Sequence, residues 1–284
     1  MIPLAVKPNN AGNILVLLFN VCLAAAIVIL NVCVFLSIVL ERSMRKENRF
    51  IYMMSTCVSD FCTGVGWFYV GLFDVLEGYP GKNDTWFIIP SFMGISYLVV
   101  LAAQADRYHA VSWPIQYSQR MTPGKTVLVI GCLWFYTCAM TITLIFSPTA
   151  VSKQINSAST LISNFITLGI MLGLNIRLYR IAKYQLDREP LTPEREDKRR
   201  SLYLIIVVAG SFLLLWTPVY LRVIFCNLMP FPCQSVSNSA TDPLAILPRV
   251  NAVLTPVLYI RCCSPLKGAL FGRLERWCCC RICR

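Results

Sequence analysis

Long uninterrupted apolar runs set the pattern of this chain, with neither the period-two alternation of strands nor the one-sided stripe of surface helices. Crossing about 30 Å of hydrocarbon takes roughly 20 apolar residues. Seven runs reach that length: 13–40, 50–74, 86–105, 126–147, 156–176, 203–228 and 243–260. The fourth, VLVIGCLWFYTCAMTITLIF, carries no charge, and the second, sixth and seventh carry one each, Asp60, Arg222 and Arg249. Nothing between the runs is long enough for a separate soluble domain. The first run lacks a basic start and is too long for a signal-peptide core, so no cleavable signal is expected. The pattern predicts an all-α membrane protein, a seven-transmembrane helix bundle forming one domain over 1–284. After the last run, Leu266, Leu270, Phe271 and Leu274 recur at helical spacing, with Lys267, Arg273 and Arg276 between them. That is an amphipathic eighth helix lying in the membrane interface, with the tail over 264–284.

Composition sharpens this reading. Only 14% of residues are charged, against about 25% in soluble domains. With the first 12 residues outside, the inside segments 41–49, 106–125, 177–200 and 261–284 hold four, three, eight and six Lys or Arg, 21 in all. The outside holds Lys7, Lys82 and Lys153. This asymmetry puts the N-terminus outside. It also explains the net charge of +12, since the bases face an anionic inner leaflet. Scattered over four short loops on one side, they exclude nucleic acid as a partner.

Two further marks agree. The sequon Asn83-Asp84-Thr85 falls in an outside loop and makes Asn83 a glycosylation candidate. Cys226 and Cys233 flank the outside segment CNLMPFPC, where a disulfide is expected. Cys278, Cys279 and Cys280 lie in the basic inside tail, a setting for S-palmitoylation. A zinc site there is disfavoured, because the chain's single histidine is His109 at the inner face. With no nucleophile or metal set around His109, enzymatic chemistry is not indicated. A transporter would show internal repeats and several ionisable groups at mid-membrane. No repeat is found, and only Asp60 and Arg249 lie deep.

The third run ends in Asp106-Arg107-Tyr108, with Pro114 seven residues beyond the arginine. Asn31 lies in LNVCVF, Asp60 ends MSTCVSD, Trp134 sits in the fourth run, and the sixth reads FLLLWTP through Phe212, Trp216 and Pro218. The seventh has LTPVLYI, with Pro256 and Tyr259. In this order and on these spans, the motifs resemble those of the rhodopsin-like, class A, G-protein-coupled receptors across nearly the whole chain. The resemblance implies that an outside ligand biases a two-state bundle and that a heterotrimeric G protein is the inside partner. Asp106 would restrain Arg107 in the off state, and Arg107 would engage the G protein. Tyr108, Trp216, Pro218, Pro256 and Tyr259 complete the implied switch, the prolines serving as hinges because each lacks an N–H. A sodium ion on Asp60, Ser96 and Asn251 is also implied, the only cofactor in view. The alternative for Asp60 is a hydrogen-bonded link between spans two and seven.

Departures from the pattern are specific. Lys82 stands where the family has a bridging cysteine, Thr167 replaces the fifth-span proline, Asn175 matches its tyrosine, and Thr255 replaces the seventh-span Asn. Lys198, beside Asp197, occupies the place of the sixth-span acid. These losses predict raised basal activity, or else a degenerate protein that no longer couples and acts as an interaction or trafficking partner. Ile89 stands where amine receptors of the family carry an acid, which argues against a biogenic amine. Arg249 stands where opsins carry the retinal lysine, and a guanidinium forms no Schiff base. The implied ligand pocket is Ile89, Met93, Trp216, Val219, Tyr220, Ala245 and Arg249. Apolar walls and one cation favour a lipid or other organic acid. Arg249 either meets that ligand or pairs internally with Asp60 or Asp242.

Overall fold

The first span begins where the sequence offers a cap: the Asn10 side chain accepts the Asn13 N–H at 2.8 Å, opening α1 (Ala11–Leu40). A computed structural model describes residues 4–73, 88–146, 149–184, 192–228 and 240–272. After one tight turn at Met44–Lys46 come α2 (Asn48–Val70), α3 (Ile88–Ser112), α4 (Pro114–Arg120) and α5 (Pro123–Phe146). Then follow α6 (Thr149–Tyr184), α7 (Pro193–Leu228), α8 (Pro243–Cys262) and a short α9 over 264–272. Among the described residues the one pairing of extended backbone is a bridge between Leu4 and Phe73. The seven expected spans are α1, α2, α3, α5, α6, α7 and α8.

Two helices run well past their apolar stretches. α6 covers 149–184, and α7 starts at Pro193, inside the charged segment PEREDKRRS. Those residues favour helix, and Arg200 pairs with Glu196 one turn back at 2.7 Å. α3 stops at Ser112 because Pro114 follows, and that proline takes the first position of α4. Among the described residues five helices, α1, α5, α6, α7 and α8, are long and apolar enough to cross a membrane. α2 carries Asn48, Arg49 and Asp60, and α3 carries Gln104, Asp106 and Arg107, which dilute their apolar content.

The bundle closes on itself: α1 packs on α2, α2 on α3, α6 on α7, α7 on α8, and α8 back on α1. α3 is central, touching α2, α5, α6 and α7. The surface is apolar and the interior is polar in places. Phe146 and Phe135 are 84% and 76% exposed, while Asn31, Asp60, Ser96, Gln104, Asn251 and Thr255 are buried. That inversion is stable only where the solvent is itself apolar. Below, the inner end is the one that carries Arg107 and Met44–Lys46.

Candidate functional site: an inner-face arginine lock and the core above it

α3 ends by placing Arg107 at the rim of an inner cavity. Its Nη2 and Nε donate to Asp106 Oδ2 at 2.7 and 3.2 Å, and the Asp106 side chain is only 1% exposed. A charge-assisted pair at this depth holds the guanidinium in one orientation. Sequence reasoning foresaw this pair but missed its third member. The Tyr117 hydroxyl donates to Asp106 at 3.0 Å and accepts from Arg107 Nη2 at 3.2 Å and from Asn48 Nδ2 at 2.8 Å. α4, started by Pro114, brings Tyr117 back under α3. Burial pushes the Tyr117 phenol above its ordinary pKa, so it remains a neutral donor throughout the physiological range. Edge-on contact with His109, ring centroids 5.5 Å apart, fixes the Tyr117 ring from the other side.

Tyr108 is not part of this lock. It turns toward α6, where Arg177 donates to its hydroxyl at 3.1 Å. The cavity beside Arg107 is bounded by Arg49, Tyr52 and Thr56 of α2, Ser201 and Leu204 of α7 and Tyr259 of α8. Arg107 and Tyr259, far apart in sequence, thus face one space. Tyr259 also meets the Thr56 hydroxyl at 3.3 Å, tying α8 to α2. Arg200 of α7, next to the departed acid position, reaches Ser264 at the start of α9 at 3.2 Å. The side chains of Asp197 and Lys198 lie outside the described residues.

Higher in the bundle, Phe212 and Trp216 stack with centroids 5.0 Å apart, and Trp216 meets Tyr220 at 5.5 Å. Tyr97 of α3 touches all three rings, at 6.0, 6.4 and 6.2 Å. Its hydroxyl donates to Thr167 Oγ1 at 3.0 Å. Thr167 therefore replaces the missing proline with a polar tie between α3 and α6. Pro218 interrupts α7 beside Trp216, and Thr217 turns its hydroxyl back to the Leu213 carbonyl. Pro256 leaves the Ala252 carbonyl without its helical N–H, and Asn31 of α1 donates to that carbonyl at 3.0 Å.

Asp60 is 3% exposed and hydrogen-bonded by Ser96, as α2 and α3 meet there. Asp60 Oδ2 and Asn251 Oδ1 are buried acceptors without donors. Oxygens of this kind have the donor chemistry that a cation would need, and both belong to residues that the implied sodium site names.

The structure splits the implied ligand pocket. Trp216 and Tyr220 belong to the cluster between α3 and α7, with Met93 packed against it. Arg249 turns the other way and lies over the Trp67 ring of α2, 4.2 Å from its centroid. Both expected internal partners of Arg249 are corrected. Asp242 is held by Arg222 at 3.0 Å and caps α8 through the Leu244 N–H at 3.1 Å. Asp60 takes Ser96 instead, while Asp242, though paired with Arg222, still acts on Arg249 as the nearby charge from beyond ion-pair distance. Val219 and Ala245 are half-buried. The Ile89 and Cys226 side chains, Asn83, Cys233, Cys278, Cys279 and Cys280 lie outside the described residues.

A lock on an arginine at the inner face, a proline inside α7 and an aromatic core above it are the features of a seven-span receptor architecture. The chain matches the family model for the 7 transmembrane receptor (rhodopsin family) over residues 30–259 and belongs to that family. It is 24% identical to the D(1)-like dopamine receptor of Oreochromis mossambicus over 278 residues, covering 81% of this chain and 70% of that protein. It is 23% identical to the D(1C) dopamine receptor of Xenopus laevis, covering 81% of this chain and 61% of that protein. Melanocortin receptor 5 of Mus musculus is 26% identical over 56% of this chain and 50% of its own length. These relatives are receptors, not enzymes, and the chain spans between half and about two thirds of their lengths.

Proposed function

We propose that this chain is a plasma-membrane receptor, N-terminus outside, that binds a small ligand and activates a heterotrimeric G protein through Arg107. The observation that carries the reading is the lock itself. One guanidinium beside the inner cavity is held, among the described residues, by Asp106 and Tyr117, so releasing three hydrogen bonds to these two side chains frees it for a partner. Outward movement of α7 about Pro218 would widen the same cavity. A sodium ion on Asp60, Ser96 and Asn251 would favour the closed packing of α2 against α3 and α8. Exchanging sodium for N-methylglucamine is then expected to change signalling in the wild type and not in Asp60→Asn.

For the ligand, an organic acid with an apolar body fits a buried cation that makes no direct ion pair among the described residues and feels Asp242 only at longer range. Two relatives carry dopamine in their names, and they lend no support to excluding an amine. Both classes therefore belong in one assay. G-protein activation is measured in cells with a panel of long-chain carboxylates, their matching alcohols, and dopamine. Response to the carboxylates alone supports the acid reading, and response to dopamine alone overturns it. Glycosylation at Asn83, a Cys226–Cys233 bridge and acylation at Cys278, Cys279 and Cys280 complete the proposed surface chemistry.

A further inference from the structure

Two buried N–H groups stand beside one another without acceptors. Arg249 is 8% exposed and Trp67 is fully buried. The guanidinium lies over the indole face, and its Nη1 donates to the Ala245 carbonyl. Arg249 Nε and Trp67 Nε1 have no hydrogen-bond partner among the described residues. A buried donor left unpaired keeps its desolvation penalty, which is larger for a charged group. Stacking on the indole holds the guanidinium plane while leaving its edge free to bind.

Gly71 adds a separate observation. It closes α2 with φ −81° and ψ −20°, dihedrals open to any residue, but a Cβ there would also lie 2.8 Å from the Trp67 carbonyl oxygen, so the close approach of the helix backbone itself asks for glycine. A Cβ at that position would lie 2.8 Å from Trp67 Cε2 and 3.0 Å from Trp67 Nε1. Glycine thus avoids a clash with both the indole edge and the carbonyl of Trp67. Around the pair, Leu23 and Ile27 of α1 and Ala252 of α8 form an apolar wall.

We infer that Arg249 and Trp67 together bind the carboxylate of an amphipathic organic acid in the outer half of the bundle, between α1, α2 and α8. Arg249 Nε and Trp67 Nε1 each give a hydrogen bond to the headgroup. The inference rests on the acid-ligand reading above and deepens it by placing the headgroup away from Trp216 and Tyr220.

The test uses the full chain purified into lipid nanodiscs, with thermal unfolding followed against sodium dodecanoate and against dodecanol. Dodecanoate is expected to raise Tm saturably, and dodecanol is not. Trp67→Phe keeps an aromatic face under Arg249 but loses the N–H together with part of the indole's bulk, so dodecanoate should bind about tenfold more weakly while the shift still depends on Arg249. Arg249→Gln should abolish the shift and raise the ligand-free Tm, because an unpaired buried charge is gone. An arginine serving packing alone would instead lower the ligand-free Tm when replaced. Equal shifts with dodecanol, no dodecanoate shift in the wild type, or a shift unchanged by Trp67→Phe and Arg249→Gln would overturn the site. If dodecanoate drives G-protein signalling independently of both residues, the acid-receptor reading stands and this site falls. If an Arg249-dependent shift comes with no signalling, the site stands and the coupling reading falls.

Discussion

At the scale of single residues, the inner face turns on one phenol. Tyr117 bridges the acid and the base of the lock and also binds Asn48 of α2. Tyr117→Phe removes these contacts while keeping the ring that His109 packs against. Bonds to charged groups contribute about 1.5–3 kcal/mol. Ligand-free signalling is therefore expected to rise about tenfold at matched surface expression, and an unchanged level would remove Tyr117 from the lock. The Asp106–Arg107 pair was legible because the two are adjacent and close an apolar run. Tyr117 was not, because it lies ten positions on in a polar segment and comes back only through the turn that Pro114 starts. Lost restraints at Lys198 led the sequence to predict a leaky receptor, whereas Tyr117 supplies a restraint that no motif announced. Arg249 shows the reverse: the sequence marked it as exceptional, but its neighbours depended on which way a long side chain turns.

At the scale of elements, the starts of α1 and α8, capped by Asn10 and Asp242, lie within two residues of the expected runs, whereas α3 continues seven residues past the expected end at 105 and stops only before Pro114. The ends of α6 and α7 were not legible, since charged helix formers carry a helix beyond its apolar run. Helix contacts were legible least of all. A Cβ on Gly64 of α2 would lie 2.8 Å from Ile27 Cγ2 and 3.0 Å from Val28 Cγ2 of α1. Gly64→Ala should therefore destabilise by about 1–3 kcal/mol, seen as a fall of several degrees in Tm. Gly131 of α5 has nothing within 4 Å of its would-be Cβ, so Gly131→Ala should leave Tm unchanged or raise it. The opposite order would deny the close α1–α2 approach. Asp242→Ala removes both the cap of α8 and the bridge to Arg222. A loss of about 1–2 kcal/mol is expected, and Asp242→Asn, which retains the cap, should recover part of it.

At the scale of the whole molecule, seven apolar runs and the bias of Lys and Arg made the bundle readable from sequence. The periodicity did not say which faces look inward, because spans in lipid are apolar nearly all round. Buried Asn31, Asp60, Asn251 and Thr255, set against exposed Phe135 and Phe146, settle the faces. The central claim is that this bundle turns over a G protein through Arg107. The most direct measurement is nucleotide exchange on purified heterotrimeric G proteins of each class. It compares receptor-free reactions with wild-type protein and with Arg107→Ala, both in nanodiscs. The account predicts that the wild type accelerates exchange on at least one class and that Arg107→Ala matches the receptor-free rate. Acceleration that survives Arg107→Ala, or none from the wild type on any class with or without the carboxylate panel, would contradict it.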